Sequence, residues 1–182
     1  MTRRTISVFG SSAPQSGSVA YEEARLVGKL LAEAGFAVAT GGYSGTMTAV
    51  SQGAAEAGGH VIGVTCDQIE RFRPLGPNRW VAEEIRYETL RERLLHLVTQ
   101  SQGMLVLPGG IGTLSEMTLA WSFLQVGEVA AQPLVLLGPV WQQTIQAFYS
   151  PDYVRERDMG LLLFADDPET AVAHIVNYHN HA

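Results

Sequence analysis

The sequence predicts an α/β fold: a doubly wound, Rossmann-like parallel sheet flanked by helices, in a single domain spanning residues 1–182. Three observations carry this reading. Short β-rich runs alternate with stretches of helical spacing, the pattern of βαβ units. The runs Met104-Leu105-Val106-Leu107 and Leu134-Val135-Leu136-Leu137 are apolar without interruption, as strands covered on both faces are. Several runs end in small-residue turns, where α/β sheets of this kind bind their ligands. The length of 182 residues allows one full core, and 46% hydrophobic against 16% charged residues suits a globular chain.

Each element has its own justification. Thr5 to Phe9 is a first strand, closed by Gly10-Ser11-Ser12. Tyr21 to Ala34 repeats apolar residues at helical spacing (Ala24, Val27, Leu31) until Gly35 stops it. Phe36 to Thr40 is a second strand, ending at Gly41-Gly42, and Thr46 to Ala57 a helix closed by Gly58-Gly59. His60 to Val64 is a third strand. Asp67 to Asn78, with Pro74 and Pro77, reads as a loop, and the length of Asp67 to Arg79 would suit a lid over the pocket. Glu83 to Gln100 reads as one long helix, and Met104 to Leu107 as a fourth strand. A helix over Thr113 to Gln125, a strand over Leu134 to Leu137 and a helix over Trp141 to Tyr149 follow. Leu161 to Phe164 is a sixth strand, and Asp167-Pro168-Glu169 starts a last helix that runs to about Tyr178.

Composition excludes several function classes. The formal net charge of −6 argues against a broad nucleic-acid surface, which needs a basic face. No apolar run approaches the ~20 residues of a membrane helix. Arg3-Arg4 stands ahead of a run too short for a signal segment, so the run is read as the first strand. The one cysteine, Cys66, allows no intramolecular disulfide and no multi-cysteine metal site, and the cytoplasm is the simplest location. The one lysine, Lys29, lies on an amphipathic helix, which leaves Schiff-base chemistry without a suitable residue. No cofactor and no metal site are expected. His60 reads as a strand residue rather than a catalyst, and His174, His179 and His181 crowd a helix end without a set of ligands.

The chemistry points to the glycine turns: Gly10-Ser11-Ser12, Gly41-Gly42-Tyr43-Ser44-Gly45 and Gly109-Gly110-Ile111-Gly112-Thr113. Glycine lets the backbone approach a ligand and aim amides at it, and a helix N-terminus adds partial positive charge. Three such turns on one edge of a parallel sheet predict a phosphate or nucleotide site. None is a P-loop, since no Gly-Lys-Ser/Thr follows. Glu116, three residues after Thr113, is either half of a capping box with Thr113 or a carboxylate one turn inside a phosphate-binding helix. Arg93 lies about 10 residues before the turn at Ser101 to Gly103, roughly 14 Å back along its helix. The following strand climbs about as far, roughly 16 Å. Arg93 therefore returns to the height of the last glycine turn, unless it is an exposed arginine paired with Glu88 or Glu92.

Leu107-Pro108-Gly109-Gly110-Ile111-Gly112-Thr113-Leu114-Ser115-Glu116, with Arg93 upstream, resembles the LOG family, also labelled "possible lysine decarboxylase". The signature is Pro-Gly-Gly-x-Gly-Thr-x-x-Glu, and the likeness extends from about Ile6 to Leu137. The resemblance implies a phosphoribohydrolase that splits AMP-like nucleoside 5′-monophosphates into free base and ribose 5-phosphate. It implies Arg93 and Glu116 as the catalytic pair and a homodimer with the Trp121 region near the interface. Gly109, Gly110, Ile111, Gly112 and Thr113 would hold the phosphate, with Ser12 and Gly42 beside the sugar or phosphate. The sequence differs from the family at Arg93-Leu94, where lysine usually follows the arginine, and at Tyr43, Thr46 and Thr48 in the second glycine loop. A nucleotide or cofactor carrier without turnover, like the molybdenum-cofactor carriers of this fold, would use the same pocket. A regulatory module would bind no small ligand.

Overall fold

Capping chemistry sets where the helices of the computed structural model begin, and alternation sets its edge strand; residues 3–181 are described. β1 (Thr5–Phe9) leads through Ser18, which accepts the Tyr21 amide, into α1 (Val19–Glu33). β2 (Ala37–Thr40), α2 (Thr46–Glu56) and β3 (Val61–Cys66) follow. The stretch expected to be loop-like from Asp67 opens with a short helix, α3 (Asp67–Phe72).

The expected long helix over Glu83 to Gln100 is two elements instead. β4 (Glu83–Tyr87) half-buries Ile85 and Tyr87 while Glu84 and Arg86 face water, a period of two hidden by helix-favouring charges. Thr89 and Glu92 then form a reciprocal capping box that starts α4 (Leu90–Thr99). β5 (Met104–Val106), α5 (Ile111–Val126), β6 (Leu134–Leu137), α6 (Pro139–Phe148) and α7 (Glu156–Met159) come next. β7 (Leu162–Ala165) is therefore the seventh strand, not the sixth. Asp167 accepts the Thr170 amide at the start of α8 (Pro168–His181), as its sequence predicts.

All the strands are parallel, in the order β4-β3-β2-β1-β5-β6-β7. This is the Rossmann-like, doubly wound α/β arrangement expected. One core packs α1, α2 and α8 on one face through residues such as Val27, Val50 and Ile175. The other packs α4, α5 and α6 through Leu97, Met117 and Trp141. The strand order reverses at β1, so the crevice expected in such sheets opens between the C-terminal ends of β1 and β5. Among the described residues no helix is long and apolar enough to cross a membrane.

Candidate active site

A cleft of about 400 Å³ lies at that crevice. The turns after β1 and β2 are stitched together to form its floor. The Thr46 amide and hydroxyl both donate to the Ser11 carbonyl, at 2.8 and 3.0 Å, and the Ser44 hydroxyl donates to the Ser12 carbonyl. Gly45 makes this approach possible, because at φ +68° its missing Cβ would sit on the Ser11–Ser12 backbone.

The turn after β5 forms the opposite wall. Gly110 is the N-cap of α5, so the helix begins at Ile111, two residues earlier than expected. Thr113 is thereby a first-turn residue with its side chain against Gly109, and the Thr113–Glu116 capping box does not form. At Gly110 and Gly112 a Cβ would meet nothing within 4 Å. No protein group demands glycine there; what the absent side chains leave open is the cleft, in front of the first-turn amides.

Arg93 and Glu116 meet at the bottom. Both are buried, 5% and 7% exposed, with Arg93 Nη1 3.6 Å from Glu116 Oε1. Arg93 is therefore neither exposed nor paired with Glu88 or Glu92. Its Nε donates to the Val64 carbonyl at 2.8 Å, and its Cζ lies 5.8 Å from the centre of the Tyr43 ring. A side chain at Gly41 would occupy the place of Nη2. The guanidinium is thus held from below and from the side, with its outer nitrogens toward Glu116 and the cleft.

Burial pushes the Glu116 carboxyl up to about 7, although the Arg93 charge pulls it down. Desolvation wins because the one nearby cation stands at 3.6 Å, beyond hydrogen-bonding distance. Arg93 alone does not hold the carboxylate firmly ionised. Glu116 can carry or release a proton near neutral pH, as a group that handles charge in a reaction must.

Ser12, Arg93, Gly110, Ile111, Gly112, Thr113 and Glu116 all line the cleft. Gly42 and Gly109 do not. Gly42 turns away at φ +77°, its amide on the Thr40 hydroxyl and its carbonyl on Asn78, and its neighbour Gly41 lines the cleft in its place. The cleft is also lined by Met47, which sequence reading missed, and by Ile69, Arg73 and Leu75, which lie in the stretch from Asp67 to Arg79 offered as a lid without being singled out as site residues. Their signal is position alone: a segment that follows β3 emerges at the same sheet edge. Other candidates are engaged elsewhere. His60 Nε2 is 2.7 Å from Glu83, and Lys29 pairs with Glu33 on the surface. Among the described residues no group of acids, histidines and cysteine is gathered to hold a metal ion.

A larger groove, of about 550 Å³, lies between α5, α6 and residues 153–158. Its lining is mostly apolar, with Trp121, Ile145 and Phe148 prominent, and no glycine turn opens onto it. Size favours the groove and chemistry favours the cleft: only the cleft combines amides at a helix start with a buried ion pair.

Comparison with known proteins places the chain in a family. A family model described as "Possible lysine decarboxylase" matches residues 47–175. The cytokinin riboside 5′-monophosphate phosphoribohydrolase of Mycobacterium tuberculosis is 31% identical over 175 residues, covering 92% of this chain and 91% of that protein. The chain belongs to the LOG family. The LOG phosphoribohydrolase of rice, Oryza sativa subsp. japonica, is 31% identical over 150 residues, or 81% of this chain and 58% of that protein. This member of the family thus spans little more than half the length of its plant relative. Among solved structures, the molybdenum cofactor binding protein of Rippkaea orientalis superposes with a TM-score of 0.77 at 25% identity, covering 98% of this chain and 99% of that one. The molybdenum cofactor carrier protein of Chlamydomonas reinhardtii gives 0.75 at 25% identity, with the same coverage.

Proposed function

We propose that this protein is a nucleoside 5′-monophosphate phosphoribohydrolase, releasing free base and ribose 5-phosphate. The observation that carries the reading is the buried pair of Arg93, from α4, and Glu116, in the second turn of α5, the helix whose open first turn lines the same cleft. The amides at Gly110, Gly112 and Thr113 hold the 5′-phosphate, and Ser12 lies beside the sugar. This remote binding positions the glycosidic bond over Glu116. As that bond breaks, its electron pair leaves with the base nitrogen and positive charge builds on the ribose. The ionised Glu116 stabilises this charge and orients a water, whose hydroxyl goes to C1′ and whose proton goes to the departing base. Arg93 holds Glu116 in place and lowers its proton affinity. The mycobacterial and rice relatives, named for this reaction, support the assignment.

The working unit we propose is a cytoplasmic homodimer. The exposed apolar side chains near the C-terminal half of α5 support this: Val126, Phe148 and Tyr153 are 71%, 62% and 89% exposed, surface that a second copy would cover.

The test is product analysis with AMP, GMP, CMP, UMP and isopentenyladenosine monophosphate, alongside Glu116→Ala. Base and ribose 5-phosphate released by the wild type and absent with the variant are expected. The likeness to the molybdenum-cofactor proteins favours a second reading, a carrier with no turnover. Nucleotide binding without base release would establish that one instead.

A further inference from the structure

The cleft has two unlike ends. It crosses the sheet edge from β5 to β3, three strand spacings or about 14 Å, which is room for a nucleotide laid lengthwise. Helix amides make the β5 end, and Arg93 and Glu116 lie between. The β3 end is made by side chains, with Met47, Ile69 and Leu75 presenting apolar surface for the faces of a base.

Polar readout at that end is restricted, because two of the three polar side chains that line it are already engaged. The Tyr43 hydroxyl donates to the Cys66 carbonyl and accepts the Cys66 amide, at 3.2 and 2.9 Å. The Ser44 hydroxyl donates to the Ser12 carbonyl at 3.3 Å. Arg73 is the exception. Its guanidinium makes no hydrogen bond or ion pair among the described residues and lies only near the Phe72 ring, at 6.0 Å. Arginine offers donors and no acceptor. A base edge that presents acceptors suits it, and an exocyclic amine does not.

We propose that the cleft selects 6-oxopurine nucleoside 5′-monophosphates and that Arg73 is the residue that reads the base, donating to O6 and N7. This rests on the nucleotide reading above, with the phosphate on α5. Adenine keeps N7 but turns its amino group toward the guanidinium, so donor faces donor.

IMP and AMP differ at this edge and share the phosphate and ribose, which makes them the probes. Their affinities are measured by calorimetry on Glu116→Gln, and their kcat/KM values on the wild type. A preference of about tenfold or more for IMP is expected in both. With Arg73→Met the preference drops to within about twofold, while the affinity for ribose 5-phosphate, which has no base, stays unchanged. Equal or better binding of AMP overturns the proposal. So does an unchanged preference in Arg73→Met, or a matching loss of ribose 5-phosphate affinity, which would make Arg73 a phosphate contact. An Arg73-dependent IMP preference in binding without base release would sink hydrolysis and keep the selectivity. Equal turnover of both nucleotides would do the reverse.

Discussion

Helix α5 separates two hollows. Its first turn faces a cleft of about 400 Å³ built on glycine turns around a buried ion pair. Its outer side faces a groove of about 550 Å³ walled by Trp121, Ile145 and Phe148. The groove has the volume of a ligand site, but its apolar wall offers little to orient a reacting bond. The cleft has less room, and it has charge. Volume measures what can be covered, whereas turnover needs groups whose protonation and position are controlled. Changes in the cleft should therefore act on turnover and ligand affinity, and changes in the groove on assembly.

Glu116→Gln should have the largest effect. It keeps the size of the side chain and removes the charge that stabilises the ribose cation. Base release should fall about a hundredfold to a thousandfold, with calorimetric nucleotide affinity within about threefold of wild type. Base release close to wild type in this variant would remove the cleft from the reaction.

Gly112→Val should come next, raising KM by about ten- to a hundredfold with kcat much less affected. The site is open, so the new side chain displaces no protein atom and points into the space proposed for the phosphate. The fold should not suffer, because glycine in a helix is about 0.5–1 kcal/mol worse than alanine to begin with. A melting temperature equal to wild type, beside a raised KM, would separate ligand exclusion from unfolding. An unchanged KM would move the phosphate away from α5.

The glycine turns were legible because backbone need dictates residue type, and the height of Arg93 because strand and helix rises fix it, whereas its pairing with Glu116 was implied by the family resemblance alone. The height argument for Arg93 survives the loss of half its supposed helix, since only the part from Arg93 to Thr99 carries it. β4 was not legible. Its charges read as a solvated helix, and their shortest contacts are to tertiary partners, Glu84 to Thr65 and Arg86 to Asp67 and Glu70. Nor could spacing tell Gly41 from Gly42, because which of two adjacent glycines faces a ligand depends on the turn. The Thr113–Glu116 pair fitted both a cap and a site until Gly110 proved to be the N-cap. Within the stretch read as a lid, Ile69 could not be singled out because a six-residue helix is too short to show a period, nor Arg73 because it lies in the extended backbone just past that helix.

The proton on Glu116 gives an effect of intermediate size. With the carboxyl pushed up to about 7 and the ionised form doing the chemistry, kcat/KM should rise about tenfold per pH unit below that value and flatten above it. Stability should move the other way. Between the ordinary value of 4.5 and about 7 the folded protein binds this proton and the unfolded chain does not. The contribution is therefore fully present below 4.5 and is lost as pH rises through 7. Its size is on the order of 3 kcal/mol. Denaturant titrations of wild type and Glu116→Gln across this range should converge in acid and separate by neutrality. Parallel curves would mean that Glu116 ionises normally.

The smallest effect on turnover belongs to the groove. Phe148→Asp places a charge on an exposed apolar rim, more than 60% accessible in the single chain. A monomer leaves this carboxylate in water at little cost. A second copy seated on α5 and α6 would have to bury it, at a penalty of several kcal/mol. Light scattering should thus report a halved mass, with kcat per chain within about tenfold of wild type because the ion pair is supplied by one chain. An unchanged mass would leave the groove as a surface without a partner copy. A halved mass with turnover lost as completely as in Glu116→Gln would show that the two hollows are not separate devices, and that the cleft depends on what covers the other side of its helix.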